Sequence, residues 1–257
     1  VEKWGDKEWL EFGIDQRRWT LSQFLHGEQG ALLCTAKIVE TVPWYDAKLY
    51  ASTQTMDEAR HVEVFAKYFN EKLEWEWPIN ANLKELLDAT IQDGRWDFKF
   101  LGMQIIIEGL AMAAFGSLWK IASEPLLKDL LKYVMKDEAR HVAFGVLALR
   151  DYYQDLPASE LRDREDFIIY ACDLMKNRLA GAEIAEAMGW DEEATREAIL
   201  ESPTGQMFRT MLFMRIVPNL NKLGLITPRV REAFERLEII QFEHLDTDDQ
   251  DRELGLL

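Results

Sequence analysis

Apolar residues recur along this chain at intervals of three and four, the period of a helix with one buried face, and strand-like alternation is nearly absent. The pattern predicts an all-α protein. A first long helix is expected over about 15–41, stopping before Pro43, and a second over about 44–73. The stretches "EWEWPIN" and "IQDGRW" mark a connection with a short helix near 82–92, and a third long helix follows over about 96–122. Ser123 is the expected cap of a fourth, with Pro125 in its first turn, running to about residue 156 before Pro157. A fifth is predicted from 158 to 189, then shorter helices over 191–201, 204–222 and 228–242, and the acidic tail "DTDDQDREL" reads as frayed. A chain of 257 residues can bury one core, so the expectation is a single domain. Residues 15–156 would form its four-helix centre and 157–245 accessory helices packed on that centre.

Two features break the apolar pattern. The longest apolar run, "GMQIIIEGLAMAAFGSLW", carries Gln104 and Glu108 near its middle, which argues for a buried functional helix and against a membrane span. The hexapeptide DEARHV occurs twice, at 57–62 and 137–142, an offset of 80 residues. Glu28 and Glu108 share that offset, and each lies 30 residues before the Glu of its own repeat. Pro43 and Ser123 fall midway in these two intervals. Fifteen residues up one helix and fifteen down the next are legs of ~22 Å each, so both acids of a pair come to the same level. The sequence thus describes two antiparallel helix hairpins joined by a long crossover.

Glu58 and His61 are three residues apart and share a helix face, as do Glu138 and His141. With Glu28 and Glu108 they supply four carboxylates and two imidazoles to one interior. Four unpaired carboxylates there would be prohibitively costly or would take up protons. Two divalent cations offset the charge, at the ~3–4 Å separation of two-metal sites that share bridging oxygens. Mixed oxygen and imidazole ligands suit iron or manganese better than zinc. His26 and His244 have no such company and read as structural or surface histidines.

This ligand pattern resembles the ferritin-like di-iron carboxylate superfamily over about residues 15–156, and within it the O2-activating branch. That branch includes the ribonucleotide reductase small subunit, bacterial multicomponent monooxygenases, acyl carrier protein desaturases and p-aminobenzoate N-oxygenase. The resemblance implies a ferritin-like four-helix bundle in which Glu28, Glu58 and His61 hold one iron and Glu108, Glu138 and His141 the other. Glu58 and Glu138 would bridge, and a manganese–iron pair is also compatible. It further implies that each repeat's aspartate serves the histidine of the opposite hairpin, Asp57 with His141 and Asp137 with His61. Arg60 and Arg140 would pair with those aspartates. Phe65 stands where the reductase subunit usually carries a radical Tyr, and Val134 where the N-oxygenases carry an extra His. The two cysteines cannot build a rubrerythrin-type iron domain.

The repeats also differ. Phe65 aligns with Gly145, Gln54 with Val134, Phe24 with Gln104 and Leu32 with Met112. A vacancy is therefore expected beside the second His, open to O2 or substrate or filled by a C-terminal helix. Met207, Met211 and Met214, with Phe208 and Phe213, form a stripe suited either to core packing or to a pocket for a flexible apolar substrate.

Composition adds limits. The net charge of −16, from 30 basic and 46 acidic residues, disfavours nucleic acid and anionic membranes as partners. Cys34 and Cys172 make no disulfide framework, no signal-peptide pattern opens the sequence, and a cytoplasmic location is the expectation. The functional expectation is a di-iron oxygenase or oxidase that uses O2 on a small apolar or amphipathic substrate and draws electrons from an external donor. Iron storage by a ferritin-like protein and a ribonucleotide reductase-like subunit are the alternatives. A homodimer is compatible with the sequence.

Overall fold

A computed structural model describes residues 5–178, 182–191, 193, 197 and 201–256, and among these there is no strand. Four long helices dominate: α1 (Asp6–Thr41), α2 (Tyr45–Tyr68, continued as a π-helical turn Phe69–Leu73), α4 (Trp96–Ile121) and α5 (Pro125–Gln154). The shorter α3 (Ala81–Gln92) lies in the crossover, and α6 (Ala158–Arg178) follows α5. Beyond it come α7 (Ala182–Ala187), α8 (Pro203–Met211), α9 (Ile216–Lys222), α10 (Pro228–Arg236) and α11 (Thr247–Glu253).

α1 packs along α2 and α4 along α5, while α2 also meets α5 and α1 meets the first half of α4. One continuous core fills the space between them, from Leu21 and Phe24 through Phe65, Met103, Ile107 and Phe115 to Leu131 and Leu149. α4 is long and apolar enough to cross a membrane by length and composition alone, yet 83% of its apolar window is buried inside the protein.

Local chemistry sets most helix ends. The Asn80 side chain accepts from the backbone N–H groups of Asn82 and Leu83 and so starts α3. The cap of α5 is Glu124 and not Ser123. Pro125 takes the first helical position, which makes the residue before it the cap, and Glu124 Oε2 accepts from Leu127 N–H at 2.6 Å. The expected single helix over 204–222 is broken into α8, a 3₁₀ turn (Leu212–Met214) and α9. Pro218 offers no N–H to the preceding turn, so the α-helical ladder cannot run through it. The predicted helix at 191–201 falls largely outside the described residues.

The acidic tail is not frayed. Asp246 caps α11 through Asp248 N–H, and Asp251 pairs with the buried Arg215. Asp251→Ala leaves that guanidinium buried without its carboxylate, at a cost of about 3 kcal/mol. Urea unfolding should show this loss, and Asp251→Ala/Arg215→Met should recover most of it. An unchanged midpoint in the single variant would mean that the tail contributes nothing to the core.

Candidate metal centre

The four long helices carry the singled-out acids to one buried place. Glu28 comes from α1, Glu58 and His61 from α2, Glu108 from α4, and Glu138 and His141 from α5, and all six are at most 5% exposed. They form two overlapping groups whose ligand atoms lie within 4.8 Å of one another: Glu28, Glu58, His61 and Glu138, and Glu58, Glu108, Glu138 and His141. Glu58 and Glu138 belong to both. His61 Nδ1 sits 3.2 Å from Glu28 Oε2, 3.4 Å from Glu58 Oε2 and 3.1 Å from Glu138 Oε1. His141 Nδ1 sits 3.2 Å from Glu58 Oε1 and 3.3 Å from Glu138 Oε2. Each histidine therefore turns the same ring nitrogen toward the acids.

The other ring nitrogens face the aspartates of the opposite hairpin. His61 Nε2 lies 3.2 Å from Asp137 Oδ2, and His141 Nε2 lies 3.3 Å from Asp57 Oδ2. Arg140 donates to Asp137 Oδ1 at 2.6 Å and reaches Asp57 at 3.4 Å; Arg60 pairs with Asp57 and comes within 3.6 Å of Asp137. Two half-exposed arginines and two aspartates thus close the solvent end of the cluster. His26 and His244 stand apart: His26 contacts the Trp77 carbonyl at 2.8 Å, and the His244 side chain is 84% exposed.

Burial pushes the Glu28 carboxyl up to about 8 and raises Glu108 well above the usual carboxylate range. Burial also acts on Glu58, but hydrogen bonds with His141 and His61 outweigh it and draw that group down to about 2. Both rings resist the neutralising pull of burial. Glu28, Asp137 and Glu138 hold His61 as an imidazolium, while Asp57, Glu138 and Glu58 hold His141.

The residues fit metal on three counts. The donor set is oxygen-rich with two imidazoles, two carboxylates serve both groups, and Glu108 Oε2 is buried with no hydrogen-bond partner among the described residues. Each group could hold a divalent cation.

Two further residues join the site. Gln54, one helical turn before Glu58, donates to Glu58 Oε1 and Glu108 Oε1, both at 3.0 Å, and so ties α2 to α4. Its position on the Glu58 face was the available signal. Arg178, at the end of α6, lines a small cavity together with Glu28, Glu108 and Glu138. That cavity has about 20 Å³ of room for water-sized molecules, enough for a water or two at ~10–15 Å³ each. Phe24, Ile107 and Phe115 give it apolar walls.

The vacancy expected beside the second histidine does not exist. A methyl group built at Gly145 would come within 2.7 Å of Gln104 Cβ and 3.3 Å of Ile105, so a segment of α4 fills the space and neither a channel nor a C-terminal helix does. That segment (Phe100–Ile107) is π-helical, a widened turn pressed against α5. Nor does the methionine stripe line the cavity. Met207 is 61% exposed and Met211 40%, because α8 is short and turns this face outward.

Compared with known proteins, the chain matches no family model and no curated protein.

Because burial raises Glu28 to about 8 and the neighbouring acids favour protons on both rings, metal uptake should displace protons. Affinity should fall at least about tenfold per pH unit below pH 8 for one displaced proton, measured by competition with a chromophoric chelator. A flat profile would contradict the protonated cluster. Asp137→Ala should fold normally and bind metal about 10–100-fold more weakly, with the loss centred on the His61 side. Asp57→Ala should shift the loss to the His141 side, as read by anomalous diffraction at each position. Undiminished occupancy in both variants would show that the aspartates do not orient the rings.

Proposed function

We propose that the chain is a ferritin-like four-helix bundle that holds two iron ions and works as an O2-dependent oxidase or oxygenase on a small organic substrate. The observation that carries this reading is the sharing of Glu58 and Glu138 by both Glu/His groups. Single-metal sites have no need for two carboxylates reaching two positions, whereas a two-metal site is defined by them. A manganese–iron pair would suit the same donors.

When bound, the metals supply the redox chemistry of O2 reduction. The chain supplies position and seclusion. Glu58 and Glu138 would serve both metals, and Glu28 and Glu108 one each. Asp137 and Asp57 accept from the Nε2–H groups of His61 and His141, which frees Nδ1 of each ring for metal once its proton leaves. Gln54 holds an oxygen of Glu108 in place. Phe24, Phe65 and Phe115 contact one another and keep bulk water from the interior. The cavity beside Glu28 and Glu108 is the place for O2 or the reacting end of a substrate. Electrons would come from an external donor, since Cys34 and Cys172 are buried apart, with thiols raised by burial, and form no redox pair.

Anaerobic iron titration should saturate at about two metals per chain, as a two-metal site requires. A reductant should then drive O2 consumption. Glu58→Ala should abolish loading of both metals, because that carboxylate serves both. Loss of only one metal would assign Glu58 to a single position, and uptake of many irons per chain would favour storage.

A further inference from the structure

Two buried arginines of this fold are matched with carboxylates. Arg164 donates through Nε to Asp97 at 2.9 Å, and Arg215 pairs with Asp251. Arg178 is placed differently. It is 3% exposed, yet no carboxylate among the described residues pairs with it. Its Nη2 makes one long contact with the Gln23 carbonyl at 3.4 Å, its Nη1 lies 3.9 Å from the Met175 sulfur, and its Nε has no partner. Burial lowers its pKa to about 10, which still leaves it charged at neutral pH.

An uncompensated buried cation is costly, and such groups persist where function needs them. Its location is specific. α6 is anchored at its start by the Arg164–Asp97 pair and runs past α3 and the π-helical segment of α4. The far end of α6 delivers Arg178 to the cavity lined by Glu28, Glu108 and Glu138. The rest of that wall is mostly apolar, with Phe24, Met103, Ile107 and Phe115 prominent.

We propose that Arg178 is the anchor for a substrate carboxylate, so that the substrate class is a monocarboxylate with a small apolar body. This rests on the oxidase reading above and narrows its substrate. A guanidinium fork presents Nε–H and an Nη–H in parallel, the arrangement that grips a carboxylate through two hydrogen bonds. The free Nε–H and the weakly engaged Nη groups are those donors. The cavity limits the apolar body to a methyl or ethyl group, which displaces the water it has room for and lies against the aromatic wall, where Met103 can adjust to its shape. An amide or alcohol of the same body would leave the cation uncompensated and bind poorly.

The test compares acetate and propanoate with acetamide and propanamide by calorimetry, on metal-free protein and on anaerobic iron-loaded protein. Wild type should prefer each acid over its amide by at least about tenfold, the discrimination expected of a charge-assisted pair. Arg178→Met should erase the preference, keep the metal stoichiometry and leave Tm equal or higher. Arg178→Lys should retain part of the preference. Equal binding of acid and amide, binding of neither to wild type, or an undiminished preference in Arg178→Met each overturns the proposal. Should Arg178→Met fail to fold, the acid–amide comparison in wild type and Arg178→Lys still decides. A chain that loads two irons and consumes O2 but ignores the acids would defeat the anchor and spare the oxidase. A chain that discriminates acids through Arg178 but binds no metal pair would do the reverse.

Discussion

Four carboxylates buried around two imidazoles set the terms for this protein. No arrangement of helices tolerates that cluster with all four acids ionised and unopposed, because desolvation costs several kcal/mol per ion. Something positive must enter. Protons are one answer: burial raises the Glu28 and Glu108 carboxyls, and the neighbouring acids favour the charged form of both rings. Metal ions are the alternative, and Glu108 Oε2 is buried with no hydrogen-bond partner among the described residues.

The surroundings follow from the same constraint. Each histidine needs its outer nitrogen fixed, and among the described residues the acids that meet it belong to the other hairpin. That crossing locks α2 to α5 at the level of the cluster. The aspartates in turn need cations, which Arg60 and Arg140 provide at the solvent edge. On the inner side, Gln54 ties α2 to α4, and three phenylalanines complete the wall. The cluster is thus sealed on its polar side by an ionic lattice and on its apolar side by rings. The remaining irregularity is the small cavity between Glu28, Glu108, Glu138 and Arg178.

The two halves of the repeat are alike in ligands and unlike in packing. Phe65 fills the space beside His61, while the matching Gly145 beside His141 admits the side chain of Gln104. The widened turn of α4 makes that approach possible. Symmetry of the acids and histidines therefore coexists with a one-sided cavity, which lies on the α1–α4 side.

The sequence by itself determined the all-α class, the bounds of the four long helices within a few residues except the start of α1, which lies at Asp6 and not near residue 15, and six acids and histidines as one set. These are legible because helical periodicity and the 80-residue offset are written in residue spacing, and spacing along a helix is geometry. The sequence carried a weaker sign of Arg178, which follows Ala171 and Met175 on the apolar face of α6. That face shows a charge is buried and says nothing of what surrounds it. Tertiary structure alone decided the rest. The run "FLGMQIII" is buried on every side, so it offers no polar stripe from which its π-helical turn could be read. The place beside Gly145 is filled by a residue 41 positions earlier, and the tail is held by Asp251 against an arginine 36 positions before it. Such contacts depend on how helices are set against one another, and residue spacing within each helix does not encode that.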